Sequence, residues 1–360
     1  MNGMDHVGNC LKFKTKFFFC CGLTAVALLL LHVIGRQTAL LSIAVRSPPP
    51  SVMRIDSLGV FSEPELTAFV EALRSSSLEE IHKTHLGSWA ARKGLNNIGT
   101  LSNGDKVLMK ERGNSYQMQS ELFSYYLNCY LELWNAPPTA LGCASKINGK
   151  MMLAAPMGGA PEGTSYDGAE NSTCFIIYKY VEGLKDTVYM PDHATSLEAV
   201  SRSPRELNRL LEWSDLILFD FLTAHGDRLL DNNLQLAPHV DFIVPLKRVS
   251  NLAKSSTGEL VLIDHEATFH RSYAKARISS VMRGRLLYYL STVSVFRRRT
   301  LERVCWLCAQ SDPAAVLEDY ISKHDPDSLL ISSGLEPEDR TELKERLLQV
   351  CSNTCHLLKH

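Results

Sequence analysis

The sequence predicts an α+β fold in two lobes, a small mixed lobe followed by a helical one, behind an N-terminal membrane helix. Three observations predict it. Strand-like text with tight-turn signals dominates residues 94–181. Helical periodicity takes over beyond Asp192. A single long apolar run stands near the start, Phe17 to Ile34, reading FFFCCGLTAVALLLLHVI.

The apolar run carries no formal charge and is long enough to cross a bilayer core of about 30 Å as a helix. Lys12, Lys14 and Lys16 precede it and only Arg36 follows closely. The positive-inside rule therefore leaves the short N-terminus cytosolic and translocates the rest. A cleaved signal peptide is the rival reading, with Ser42-Ile43-Ala44 as a small-residue site, but its apolar core would be shorter. The expected organisation is a cytosolic tail (1–16), a signal-anchor transmembrane helix (17–35), a stem containing SPPPS (36–55) and a luminal domain (56–360). The first lobe covers about 56–185 and the second about 186–360.

Cysteine usage agrees with an oxidising lumen. Seven cysteines lie beyond the anchor: Cys129, Cys143, Cys174, Cys305, Cys308, Cys351 and Cys355. Seven is odd, so one thiol is free or pairs with another chain. Asn171-Ser172-Thr173 is a glycosylation sequon, which makes Asn171 a candidate glycan site. With a net charge of -1 the chain lacks the basic surplus of a nucleic-acid binder.

Within the luminal part, Ser62 and Glu65 form a capping-box pattern, and Leu66, Phe69, Val70 and Leu73 follow at helical spacing. Asn103-Gly104 separates two strand-like runs, so a hairpin is expected up to Glu111. A helix is expected over Gln117–Leu133, then strands at Lys150–Ala154 and Cys174–Val181. The Gly-rich text between those strands reads as a loop. Ser203-Pro204-Arg205-Glu206 starts a helix that runs to about His225 and is apolar on most faces. Glu259–Ile263 reads as a short buried strand, and the remainder from Arg283 as mostly helical.

The chemistry centres on the loop after the buried helix, His225-Gly226-Asp227-Arg228-Leu229-Leu230-Asp231-Asn232. An Asp, four intervening residues and then an Asn is the spacing of a phosphoryl-transfer loop. There Asp227 would take the proton of the attacking hydroxyl and Asn232 would ligate a metal ion. Asp and Asn are also ordinary loop residues, so the spacing alone is weak. Asp264 ends the strand Val261-Leu262-Ile263 and is a second metal candidate, since hard cations take carboxylate oxygens. Glu266 follows as a further acid. Lys110 ends a strand and Glu121 sits on the next helix, which is the pairing that holds nucleotide phosphates. Lys106 lies on the same face as Lys110, so alternation does not choose between them. No GxGxxG, HRD or DFG is present as written. This set predicts an atypical protein-kinase-like fold.

These residues resemble the Four-jointed family of Golgi kinases, related to the secretory casein-kinase group. The segments carrying the resemblance are DLILFDFLTAHGDRLLDNN (215–233), LIDHEA (262–267), QMQSELFSYYL (117–127) and GLNNIGTLSNGDKVLMKER (94–112). The resemblance implies a type II Golgi enzyme that transfers phosphate from ATP to Ser or Thr of extracellular cadherin domains, those of the Fat and Dachsous proteins of planar cell polarity. A released, secreted form is also compatible with it. It implies Asp227 as base, Asn232 and Asp264 at Mn²⁺ or Mg²⁺, Lys110 on the phosphates and Glu121 as its partner. Departures stand at His225-Gly226, at Thr268 where the family usually has Gly, and in the loop 157–171.

Rival readings come from three signals. Cys305-x-x-Cys308 with Cys351 and Cys355 could hold zinc, although disulfides suit a lumen better. Asp325-Pro326-Asp327 is a DxD triplet of the kind Golgi glycosyltransferases use, but no apolar strand delivers it, so a turn is expected. A pseudokinase that binds partners without catalysis would keep the same fold; retention of all five site residues argues against it.

Overall fold

The computed structural model describes residues 51–53, 59–83, 96–111, 115–147, 150–154, 172–185, 188–190, 203–225, 228–229, 249, 251–265, 268–269, 280–326 and 334–359. All belong to one unit, Pro50–His360. The expected anchor, the sequon residue Asn171, and Asp227, Asn232, Glu266 and Asp327 lie outside the described residues. Among the described residues no helix is long and apolar enough to cross a membrane.

Strand β1 (Ser51–Met53) precedes helix α1 (Glu63–Ser75), which begins where the capping-box pattern places it. The Ser62 hydroxyl bonds the Glu65 carboxylate at 3.1 Å rather than a backbone amide. Leu66, Phe69, Val70 and Leu73 are its buried residues, the four the periodicity selects. Strands β2 (Leu78–Lys83), β3 (Asn96–Leu101) and β4 (Lys106–Glu111) follow. The β3–β4 turn is the expected Asn-Gly turn: Gly104 has φ +88° and the Asn103 side chain accepts from the Asp105 amide at 3.0 Å. After α2 (Ser115–Tyr130) come β5 (Thr139–Ile147), β6 (Lys150–Ala154) and β7 (Ser172–Lys179). The strands close an antiparallel barrel in the order β2-β3-β4-β7-β5-β6. A disulfide joins Cys143 to Cys174 at facing positions of β5 and β7.

The helical part starts with α3 (Pro204–Thr223). Its N-cap forms, with the Glu206 amide donating to the Ser203 hydroxyl at 3.3 Å and that hydroxyl donating to the Glu206 carboxylate at 2.6 Å. Ten consecutive residues of α3 beyond Trp213 are buried, which its all-round apolar text requires. Two short strands, β8 (Leu252–Lys254) and β9 (Leu260–Leu262), form a ribbon. Then follow α4 (Ser280–Thr292), β10 (Val295–Arg297), α5 (Arg298–Cys308), α6 (Pro313–His324) and α7 (Pro337–Thr354), ending in a 3₁₀ turn (Cys355–Lys359). β1, inside the span read as stem, pairs parallel with β10.

One continuous apolar core runs from Val107 and Met109 on β4, through Leu122, Phe123 and Tyr126 on α2, to Leu216 and Phe219 on α3 and Leu301, Leu317 and Leu343 in the terminal helices. α2 is therefore the piece that ties barrel to helices. Disulfides Cys305–Cys355 and Cys308–Cys351 pin α5 to the end of α7, and Cys129 is free and buried. The four C-terminal sulfurs are thus used in two disulfides, and Asp325 caps α6 and pairs with Arg74 at 3.2 Å.

Candidate active site

Three of the five predicted site residues are described, and they meet. Alternation on β4 sends Val107 and Met109 into the main core and leaves Leu108 and Lys110 on the opposite face. There Leu108 packs with Leu141, Ile176 and Tyr178. The Lys110 ammonium lies 4.7 Å from the centroid of the Tyr178 ring. It reaches Glu121 Oε1 on α2 at 3.4 Å and Asp264 Oδ1 after β9 at 3.1 Å. Lys110 and Glu121 are buried, whereas the Asp264 side chain keeps 26% exposure. A buried cation between two carboxylates is stable because its partners offset its desolvation. Lys106, the competing candidate, is at the exposed end of the strand and pairs with Glu182 at 3.0 Å. Of the two lysines on this face, Lys110 is the one that α2 and the turn after β9 approach.

Asp264 is presented by backbone geometry. Its φ is +59°, a left-handed conformation uncommon outside glycine. The turn that carries it is anchored on both sides. The Leu262 amide donates to the Asn135 carbonyl at 2.7 Å, and the Ile263 amide to the Asn251 carbonyl at 3.2 Å. Asn135 is itself fixed by Asn128 on α2, whose side-chain amide bonds the Asn135 side chain at 2.5 Å. The second oxygen of Glu121, Oε2, accepts the His265 amide at 2.7 Å. Glu121 thus grips the lysine with one oxygen and the metal-candidate turn with the other.

Beneath the turn lies a buried polar group that spacing arguments miss: Asp220, His225, Arg228 and His265. Arg228 pairs with Asp220 and donates to the carbonyls of Asn251 (3.0 Å) and Ile263 (3.3 Å). It also meets His265 Nδ1 at 3.0 Å. A guanidinium only donates, so Nδ1 is the acceptor and the proton of neutral His265 sits on Nε2. His225 Nε2 faces the Asp264 carbonyl at 3.1 Å, which makes it the donor. Burial, and then the neighbouring Arg228, hold both imidazoles well below the ordinary histidine range, so both are neutral at pH 7. Burial pushes the Asp220 carboxyl up, and Arg228 pulls it back toward the charged form. A histidine two residues before Asp227, and one acid inside the apolar run LILFDFLT, are the signals that could have found this group.

The site lies at the junction of barrel and helices, with α2 reaching both. The family model described as the Four-jointed box protein middle domain matches residues 66–357. The chain belongs to the Four-jointed box protein family. Four-jointed box protein 1 of Xiphophorus maculatus is 30% identical over 266 residues, 71% of this chain and 59% of that protein. The Drosophila melanogaster protein named "Extracellular serine/threonine protein kinase four-jointed" is 31% identical over 99 residues, 27% of this chain and 16% of that one. The chain spans about three fifths of the length of the Four-jointed box protein 1 relatives it matches. Among solved structures, the Golgi casein kinase with Mn/ADP bound matches with a TM-score of 0.50 at 12% identity, covering 84% of this chain and 78% of that one. At that identity the likeness is one of fold, and this chain has the mixed α/β kinase-like fold that its sequence predicts.

Proposed function

We propose that this chain is a serine/threonine protein kinase of the secretory pathway, which transfers the γ-phosphate of ATP to cadherin repeats in the Golgi lumen. The observation that carries the reading is the meeting of Lys110, Glu121 and Asp264 in one charge cluster at the junction of barrel and helices. Three sequence-distant elements converge there, which chance turn residues do not require. The residues suit a metal-bound nucleotide. Asp264 is a partly exposed hard oxygen donor, and beside it Lys110 is a fixed cation for phosphate oxygens. When bound, Mn²⁺ or Mg²⁺ would neutralise charge on the transferred group. Lys110 would hold the phosphates, Glu121 would hold Lys110, and Asp264 with Asn232 would hold the metal. Asp227 would accept the proton of the Ser or Thr hydroxyl. A relative named as an extracellular serine/threonine kinase supports the reaction. Three disulfides support an oxidising compartment. The membrane anchor, glycosylation at Asn171, a role in planar cell polarity and release by stem cleavage belong to this proposal too.

The glycosyltransferase reading loses its metal triplet, because Asp325 is 2% exposed and engaged with Arg74. The test is direct. Purified full-length protein in detergent, given labelled ATP, Mn²⁺ and a cadherin-repeat substrate, should label the substrate. Asp264→Ala and Lys110→Met should each lower the rate by about a hundred-fold or more, the scale for removing a group that stabilises transition-state charge. Transfer that survives Asp264→Ala sinks the assignment. Nucleotide binding without transfer by the intact protein indicates a pseudokinase.

A further inference from the structure

The segment after Asp264 is fastened to α2 by hydroxyl groups that the proposed chemistry does not use. The Ser120 hydroxyl donates to the Thr268 carbonyl at 2.6 Å. The Thr268 hydroxyl lies 2.8 Å from the His265 carbonyl and 3.1 Å from the Ser120 carbonyl, and it meets the Ser124 hydroxyl at 2.5 Å. Thr268 has one proton and two carbonyls to give it to. The Ser124 hydroxyl is therefore the donor in their contact, and the set is internally satisfied. All three residues are buried: Ser120 1%, Ser124 0% and Thr268 2% exposed. On the other side the Phe269 amide donates to the Thr223 carbonyl at the end of α3, at 3.0 Å.

Ser120, Glu121 and Ser124 are consecutive contacts along one stripe of α2, since residues one turn apart share a face. The stripe therefore makes two kinds of grip on one segment. Glu121 takes the His265 amide, and the serines take Thr268. Rotating or withdrawing α2 would break both grips together and would leave buried hydroxyls and carbonyls unpaired, which is costly in a low-dielectric interior.

We propose that Thr268 is a positioning residue that staples α2 to the Asp264 turn through Ser120 and Ser124, so that Lys110, Glu121 and Asp264 stay assembled. The inference rests on the kinase reading for its consequence, but the staple itself does not depend on catalysis.

The experiment compares full-length wild type with Thr268→Val, Thr268→Ser, Ser124→Ala and the Thr268→Val/Ser124→Ala double variant. Hydrogen exchange without nucleotide is read at residues 262–269. Thr268→Val should speed exchange of the His265 amide about five- to ten-fold, the scale of one lost buried hydrogen bond. Thr268→Ser should stay within about two-fold of wild type, and exchange in α5 and α7 should not change. With Mn²⁺ and ATP, Thr268→Val should raise the KM for ATP by a similar factor and leave the KM for the protein substrate unchanged. The double variant should be no worse than Thr268→Val alone, because that change already removes the hydroxyl that Ser124 meets. Wild-type exchange in Thr268→Val, or additive losses in the double variant, overturn the staple. A wild type that shows slow exchange but no phosphate transfer overturns the kinase reading and leaves the staple standing.

Discussion

Arg228 shows how much the site depends on residues that never touch a substrate. It is 1% exposed, and its guanidinium reaches Asp220, two backbone carbonyls and His265. The charge is tolerable only because Asp220 and those acceptors replace its hydration. Arg228→Met should therefore cost about 3–5 kcal/mol, because it strands the Asp220 carboxylate in the core. Arg228→Met/Asp220→Leu should recover much of that loss, since an apolar pair strands nothing. Urea unfolding of the single and double variants measures the difference; equal stability of the two would show that the pair is not coupled. Lys110, Glu121 and Asp264 were legible because their side chains are chemically distinctive at a recognisable spacing. Arg228 and the two histidines were not, because a buried polar group is identified by its surroundings, and those come from α3, the loop after it and β9 at once.

At the scale of elements, the sequence is legible wherever a local signal decides the outcome. Helix α3 begins at its Ser203 cap, and the β3–β4 hairpin turns at Asn-Gly. β2 and β5 escaped because their text lacks alternation. In β2 the register shifts between Leu78 and Glu80, so an extra residue breaks the period of two. β5, TALGCASKI, has few large side chains, so no alternating apolar pattern marks it. α3 also carries a pH-sensitive position. Burial first, and then the nearby Glu259 charge, raise Glu212 from an ordinary 4.5 to about 7. Between those values the folded chain binds a proton that the unfolded chain has lost, so stability falls as pH rises through that window. The contribution is whole below about 4.5 and gone above about 7. Glu212→Gln stays neutral throughout. It should gain on the order of 1–3 kcal/mol at pH 8 relative to wild type, with no gain at pH 4.5. Thermal melts of both proteins across that range test it; a gain that is constant with pH would refute the titration.

For the whole molecule, the decisive feature is that one core serves both lobes while separate disulfides secure each. Cys143–Cys174 staples the barrel strand to strand, and Cys305–Cys355 with Cys308–Cys351 closes the terminal helices. Of the seven cysteines from Cys129 onward, six are paired and Cys129 is left over, with its thiol pushed far up by desolvation and so inert. The odd count could be read from the sequence; the pairing could not, because it depends on α5 lying along the end of α7. Each C-terminal disulfide closes a loop of 50 or 43 residues. Bridges of that kind contribute about 2–4 kcal/mol, mainly by restricting the unfolded chain. Cys308→Ser/Cys351→Ser should therefore lower unfolding stability by about that amount while Val304, Leu307, Leu347 and Val350 keep α5 on α7 through the core. The charge cluster is built on β4, α2 and the turn after β9, none of which contains those cysteines. The proposed phosphate transfer, measured at 25 °C, should consequently stay near wild type in the variant even as its melting temperature drops. Loss of transfer in a protein that is still folded by circular dichroism would mean that the terminal helices set the site's geometry as well as its stability.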